Sequence, residues 1–407
     1  MPRKTSLFGI LMLTTCVFAS DRYVQVIHQF GQTNSDGAYP GALISDKAGN
    51  VYGTTYDGGA GGYGTVFELS PPAQTGGEWT ETILADFAGP AGGPDGSNPI
   101  GPLTMNARGD LFGITFEGGT SGYGTVYEIA HNSDGSWSKN ILYSFTGGSD
   151  GGIPTGNLVL DAQGSLYGVT VYGGNDACYT GCGVVFQLKP NGSGGWDESV
   201  IHSFLHDADG YGAGWLAIRS GKLYGTTNQT GVVGVDGTIF EMTRAGGVWN
   251  LSTIYSFAGG SEGMAAASPF LFDSEGNIYS TTESGGSDQL GEVFELSPPA
   301  LGSGSWTKTS LYSFAGGTDG TSPYGLILGK DVRIVGLTGG GVGCSRYDGC
   351  GTIFQLDNSG GTWTKSTLCL FSGALESPVA GLAFTPAGLI GSIGERSNLS
   401  GAVYRLY

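Results

Sequence analysis

The apolar positions of this chain come in short runs, not along a helical stripe. Runs of β-branched and aromatic residues alternate with clusters of Gly, Pro, Asp, Asn and Ser, the pattern of strands joined by turns. After residue 20 no window holds a 3.6-residue apolar period flanked by caps, so no helices are expected. The runs recur as phrases. "GTVFEL" (64–69) returns as "GTVYEI" (124–129), "GVVFQL" (183–188), "GTIFEM" (237–242), "GEVFEL" (291–296), "GTIFQL" (351–356) and "GAVYRL" (401–406). A second phrase closes on a phenylalanine seven times, at Phe30, Phe87, Phe145, Phe204, Phe257, Phe314 and Phe371. Six of these have a tryptophan eight residues earlier (Trp79, Trp137, Trp196, Trp249, Trp306 and Trp363), and the first has Arg22 there.

Each unit thus offers four strands, A to D, which in the first unit lie at roughly 41–46, 51–55, 65–69 and 79–87. The even Trp-to-Phe spacing places both rings on one face of strand D, provided that the strand has no bulge. Four-stranded repeats of this length, arranged radially, predict a β-propeller. The ends refine the count. The first segment is an isolated strand D (22–30), whereas the last unit has A, B and C and stops at Tyr407. Seven blades close only if the N-terminal strand completes the final one, which also hides two open sheet edges. The expectation is an all-β, seven-bladed β-propeller of four-stranded antiparallel blades occupying 20–407. Its blades fall at about 38–87, 98–145, 154–204, 213–257, 268–314, 323–371 and 378–407, the last completed by 22–30. An open solenoid would need atypical capping repeats, which the sequence lacks.

The combination "LYGTT…GG…GYGTVFEL…W…LYSF…GG.DG..P" resembles the GloVer-type tandem repeat of secreted bacterial proteins, the "choice-of-anchor" group whose members carry different C-terminal sorting signals. The resemblance covers nearly all of residues 22–407. It implies an exported, surface-associated bacterial protein, with no enzymatic activity and no catalytic residues to carry over. The chain departs from that pattern in having no C-terminal anchor. Blades four and six also look degenerate at their A and B strands, "AGWLAIRSGK" and "LILGKDVRIVGLT".

Residues 1–20 carry Arg3 and Lys4, then an apolar run, then small residues. This reads as a signal peptide of residues 1–19; a lipoprotein acylated at Cys16 is the alternative, disfavoured by Thr15 before the cysteine. No other stretch is apolar enough to span a bilayer. The 78 glycines sit in register between aromatic strands and so read as turns and bulges. A net charge of −18 with 17 basic residues argues against nucleic-acid binding, while leaving cations, neutral glycans or a protein as partners. The expected state is a monomer. In an oxidising compartment Cys178–Cys182 and Cys344–Cys350 read as two loop-stapling disulfides, and no His lies near either pair to make a zinc site. Cys369 is left over as a buried small hydrophobe.

Candidate chemistry gathers on the face formed by the D–A and B–C loops. The D–A turns repeat an acid: Asp36, Asp95, Asp150, Asp209, Glu262, Asp319 and Glu376. The B–C loops add Asp57, Glu117, Asp176, Asp236, Asp288 and Asp348. Together they suggest a ring of carboxylates around a channel mouth, suited to Ca²⁺ or a hydroxyl-rich ligand. Turn chemistry, with Asp capping the turn and Gly taking positive φ, explains the same recurrence more simply. The strand-D tryptophans are expected in blade-to-blade cores. Trp215 is off-register, and with Tyr211 it is the candidate ligand-contacting aromatic. His206, Asp207 and Asp209 form the one cluster capable of acid/base work or metal ligation. His28 and His202, at matching places in strand D, read as structural. No serine-nucleophile elbow, zinc-helix motif or phosphate loop is present. Two functions follow: a non-catalytic exported propeller that binds a protein or glycan partner at the cell surface, or an extracellular carbohydrate-active or lactone-type hydrolase or lyase using the acidic loop face, with Ca²⁺ as its cofactor.

Overall fold

The computed structural model describes residues 24–33, 35–74, 76–89, 94–175, 177–300, 304–329, 333–341, 351–371, 378–394 and 400–407. Its strands form seven antiparallel sheets of four. Blade one is β2 (Gly37–Ser45), β3 (Val51–Gly58), β4 (Thr65–Ser70) and β5 (Thr80–Asp86). Blade two is β6 (Gly96–Met105), β7 (Leu111–Gly118), β8 (Thr125–His131) and β9 (Trp137–Ser144). Blade three is β10 (Gly152–Leu160), β11 (Leu166–Tyr172), β12 (Val184–Pro190) and β13 (Trp196–Ser203). Blade four is β14 (Tyr211–Arg219), β15 (Lys222–Gln229), β16 (Thr238–Ala245) and β17 (Val248–Ser256). Blade five is β18 (Leu271–Phe272), β19 (Ile278–Thr282), β20 (Glu292–Ser297) and β21 (Thr307–Ser313). Blade six is β22 (Thr321–Leu328), β23 (Ile334–Gly340), β24 (Gly351–Ser359) and β25 (Thr362–Phe371). Blade seven is β26 (Pro378–Thr385), β27 (Gly388–Ile393) and β28 (Ala402–Leu406), with the N-terminal β1 (Val24–Gln29) on the outer edge of β28. The expected seven-bladed ring is present, and the N-terminal strand completes its last sheet. Among the described residues no helix is long and apolar enough to cross a membrane.

Strand D departs from the expectation in one systematic way. In every blade its pairing with strand C skips one residue: Ile27, Leu84, Leu142, Ile201, Ile254, Leu311 or Leu368. A bulge of one residue reverses the alternation of faces beyond it. The tryptophan and phenylalanine of one strand therefore point to opposite neighbours. Trp137 packs with Phe87 and Tyr127 between blades one and two, whereas Phe145 packs with Phe112 and Phe186 between blades two and three. Six of the seven interfaces show this exchange, down to Trp79 beside Phe30 where blade one meets blade seven; between blades six and seven Phe371 packs without a tryptophan. The rings meet edge-on, as with Phe145 and Phe186 at 5.0 Å between centroids, the arrangement that aromatic quadrupoles favour.

The glycine that opens each "GTVFEL" phrase is an interface residue. Gly64 has φ of 98°, and a Cβ there would come within 2.4 Å of the Thr55 carbonyl and 2.5 Å of Pro99 in the next blade. Only glycine lets strand A of the following blade dock so closely. The A strands of blades four and six are full length, with a bulge like that of the other long A strands. The reduced one is in blade five, where β18 keeps two residues.

Candidate functional site

Strand A residues of six blades, with residues 264–267 ahead of β18 in blade five, line a central cavity of about 840 Å³. Most of its wall is small or apolar, as at Gly41, Gly101, Gly156, Gly214 and Ala266. Larger side chains are few: Trp215, Asn228, Gln229, Met264, Glu283 and Tyr324. Among the described lining residues, Glu283 is the one ionisable carboxylate, and no His, Lys or Arg joins it. Trp215 stands apart from the other six tryptophans, all of which pack in blade interfaces. Its placement follows from β14, where a bulge between Ala213 and Leu216 frees Gly214 and Trp215 from regular pairing with β15. The Trp215 amide donates to Thr226 Oγ1 at 3.1 Å.

Tyr211 does not line the cavity, but its hydroxyl hydrogen-bonds Gln229 Oε1, which does. Its ring stacks on His206 at 4.5 Å, a residue held at φ of 60°. Asp209 turns the other way, to His202 Nε2 at 2.8 Å, and its own amide donates to Asp207. The predicted cluster of His206, Asp207 and Asp209 is therefore split between two partners.

The D–A acids are held by their own blades. Asp150 accepts from Tyr143 and from the Thr146 amide, Asp319 from Tyr312 and the Ala315 amide, and Glu262 from Tyr255. Asp36 accepts from the Gln32 amide, and Asp95 from the Ala88 amide. None of these five acids, nor Asp209, is among the described residues that line the cavity. In the B–C loops, Asp57 accepts from Asn98 of the next blade. Asp176, Asp348 and Glu376 lie outside the described residues, as do residues 1–23 and the Cys344–Cys350 pair.

A column of residues that sequence reasoning missed faces these acids. Two positions after the strand-D tryptophan come Glu81, Lys139, Glu198, Leu251, Lys308 and Lys365. The five charged members interact with the D–A turn of the preceding blade. Lys139 pairs with Asp95 at 2.8 Å and Lys365 with Asp319 at 2.8 Å. Lys308 donates to the Glu262 carbonyl at 3.1 Å and pairs with buried Glu292. Burial alone would raise Asp319, but bonds from Lys365, Ala315 and Tyr312 hold it below the usual carboxylate range. Glu198 has no such cation, and burial together with Asp150 pushes it up to about 7. Glu81 lies beside His28 and Asp36; burial pushes it up to about 7 despite the pull of His28. The fixed distance from the tryptophan, with charge switching between Lys and Glu, was the available signal.

The pair Cys178–Cys182 forms the expected disulfide in the B–C loop of blade three. Cys369, by contrast, is not a lone buried hydrophobe. It is fully buried and disulfide-bonded, to a partner outside the described residues.

Among solved structures, the chain is similar to a puromycin-hydrolysing peptidase of Mycobacterium tuberculosis, at 14% identity and a TM-score of 0.55, over 93% of this chain and 54% of that one. It is also similar to PorZ, a bacterial surface component of the type IX secretion system of Porphyromonas gingivalis, at 14% identity and a TM-score of 0.54, over 89% of this chain and 46% of that one. The chain spans about half the length of each, and at these identities the likeness is one of fold. No curated protein matches the sequence. The sequence pattern of the Gloeobacter/Verrucomicrobia repeat matches residues 15–218 and again 211–406, nearly the whole chain, so the protein belongs to the Gloeobacter/Verrucomicrobia repeat family.

Proposed function

We propose that this protein is an exported, non-catalytic propeller that binds a neutral glycan at the mouth of its central channel, with Trp215 as the contacting aromatic. The observation that carries the reading is the described lining of the cavity: one indole, one phenol and two amides on a wall of small residues, with a single carboxylate among the described residues. Aromatic faces suit the apolar faces of sugars, and Asn228 and Gln229 offer donors and acceptors to hydroxyls. Glycoside cleavage ordinarily needs two carboxyl groups at a set separation, a need that Glu283 alone does not meet. The net charge of −18 favours a neutral over an anionic ligand. Propellers of similar fold include both a hydrolysing peptidase and a surface component, so the choice rests on the site and not on the architecture.

The test is a screen of the mature chain against immobilised neutral glycans, repeated with Trp215→Ala. Binding that falls at least tenfold in the variant supports the reading. Binding that is unchanged in the variant, or turnover of a bound glycan, overturns it. Export is tested separately, by sequencing the N-terminus of the protein recovered from a bacterial host; an intact residue 1 would sink the signal-peptide assignment of residues 1–19.

A further inference from the structure

The seam where the ring closes holds three side chains that no lysine joins. His28 lies on β1, Asp36 in the turn that follows, and Glu81 on β5 of blade one. His28 Nε2 is 3.7 Å from Asp36 Oδ1 and 3.5 Å from Glu81 Oε1, and the ligand atoms of all three lie within 4.8 Å of one another. The side chains are 17%, 5% and 17% exposed, in the order His28, Asp36, Glu81. Asp36 spends Oδ2 on the Gln32 amide, yet its buried Oδ1 has no hydrogen-bond partner. Glu81 Oε1 and His28 Nε2 are likewise buried and without one. Three orphaned polar atoms converging on one point require an explanation, because buried polar groups are almost always paired.

The other interfaces indicate what belongs there. Glu81 occupies the column position that is Lys139 between blades one and two and Lys365 between blades five and six. In those two interfaces an ammonium group sits against the turn acid, Asp95 or Asp319, at 2.8 Å. At the seam the column residue is itself an acid, and the turn acid gains a histidine, so the place of the cation is surrounded by donors and lacks its charge. We propose that His28, Asp36 and Glu81 bind a divalent transition metal of the zinc class, which takes the place of the missing lysine and staples the N-terminal strand to blade one. One imidazole nitrogen and two carboxylate oxygens are a borderline donor set suited to zinc. Tetrahedral bonds of about 2.0–2.1 Å put neighbouring ligand atoms roughly 3.3 Å apart, near the 3.5 and 3.7 Å that separate His28 Nε2 from the two carboxylates. At the equivalent His202–Asp209 pair the column position is Leu251, which offers no ligand atom.

The test uses the mature chain stripped with chelator and then titrated with zinc alone. One zinc per chain and a rise in Tm of several degrees are expected, with visible absorption bands when Co²⁺ replaces zinc. Glu81→Lys, which restores the residue found at other interfaces, should fold with a chelated Tm at or above that of the wild type and lose the zinc response. His28→Gln should lose the Co²⁺ bands independently. Absence of stoichiometric zinc, or a response that survives in both variants, overturns the proposal.

Discussion

Trp137 and Phe145 share strand β9, yet each belongs to the core on a different side of blade two. The bulge at Leu142 makes this possible, so one strand contributes a large ring to two interfaces. Phe145 is fully buried, and its replacement by Ala should cost about 3–5 kcal/mol. Trp137 is only partly buried, so Trp137→Ala should cost less. Deleting Leu142 would remove the bulge and swing Phe145 to the wrong face; it should destabilise more than Leu142→Ala does. Thermal unfolding of the four variants checks the order, and equal losses from the Leu142 deletion and Leu142→Ala would contradict the role given to the bulge.

Blade five replaces a repeated hydrogen bond with a buried ion pair. In blades one, two and four a threonine of strand B bonds a threonine of strand C, as between Thr55 and Thr65 at 2.8 Å. Blade five has Glu292 at the second place, paired with Lys308, and Thr282 Oγ1 is left without a partner. Lys308→Met should cost about 3–5 kcal/mol, because it leaves Glu292 buried and uncompensated. Adding Glu292→Thr should recover most of that loss by giving Thr282 a partner. A double-mutant cycle in thermal unfolding measures the recovery; a double variant as weak as the single one would refute it.

Glu198 predicts a dependence on pH. Its pKa in the folded chain, about 7, lies above the ordinary value of 4.5, so the fold binds its proton more tightly than the unfolded chain does. The associated stability is complete below about 4.5 and is lost as pH rises through about 7. Because the side chain is only half buried, solvent screening reduces the effect to about 1 kcal/mol. Glu198→Gln should flatten the profile of Tm across this window, and a wild-type curve parallel to that of the variant would exclude the assignment.

The Cys178–Cys182 disulfide closes a very short loop, so it removes little entropy from the unfolded chain. Replacing both cysteines with serine should cost about 2 kcal/mol or less. The double variant is the right measurement, since a reductant would also attack the bond at Cys369.

The ring, its blade count and the strand that completes it were legible because each depends on local chemistry repeated in order. Trp215 was legible as an exception to that order. The bulge was not, since an eight-residue spacing reads alike with or without a slip in register. The meeting of Glu81 with His28 was hidden for a related reason. Strand and turn patterns place residues within one blade, whereas this contact is set by how one blade leans on the next.

The ladder between β1 and β28 also has a meaning in time. Tyr407 donates to Gln25 at 2.6 Å across 382 residues of chain. During synthesis β1 is made long before β28 exists, and six blades lie between them in the chain. Contacts of such sequence separation are slow to form, so the last step of assembly is the docking of the oldest segment against the newest. A chain cut short before β28 would lose the strand that β1 pairs with and, with it, the means of shutting the circle.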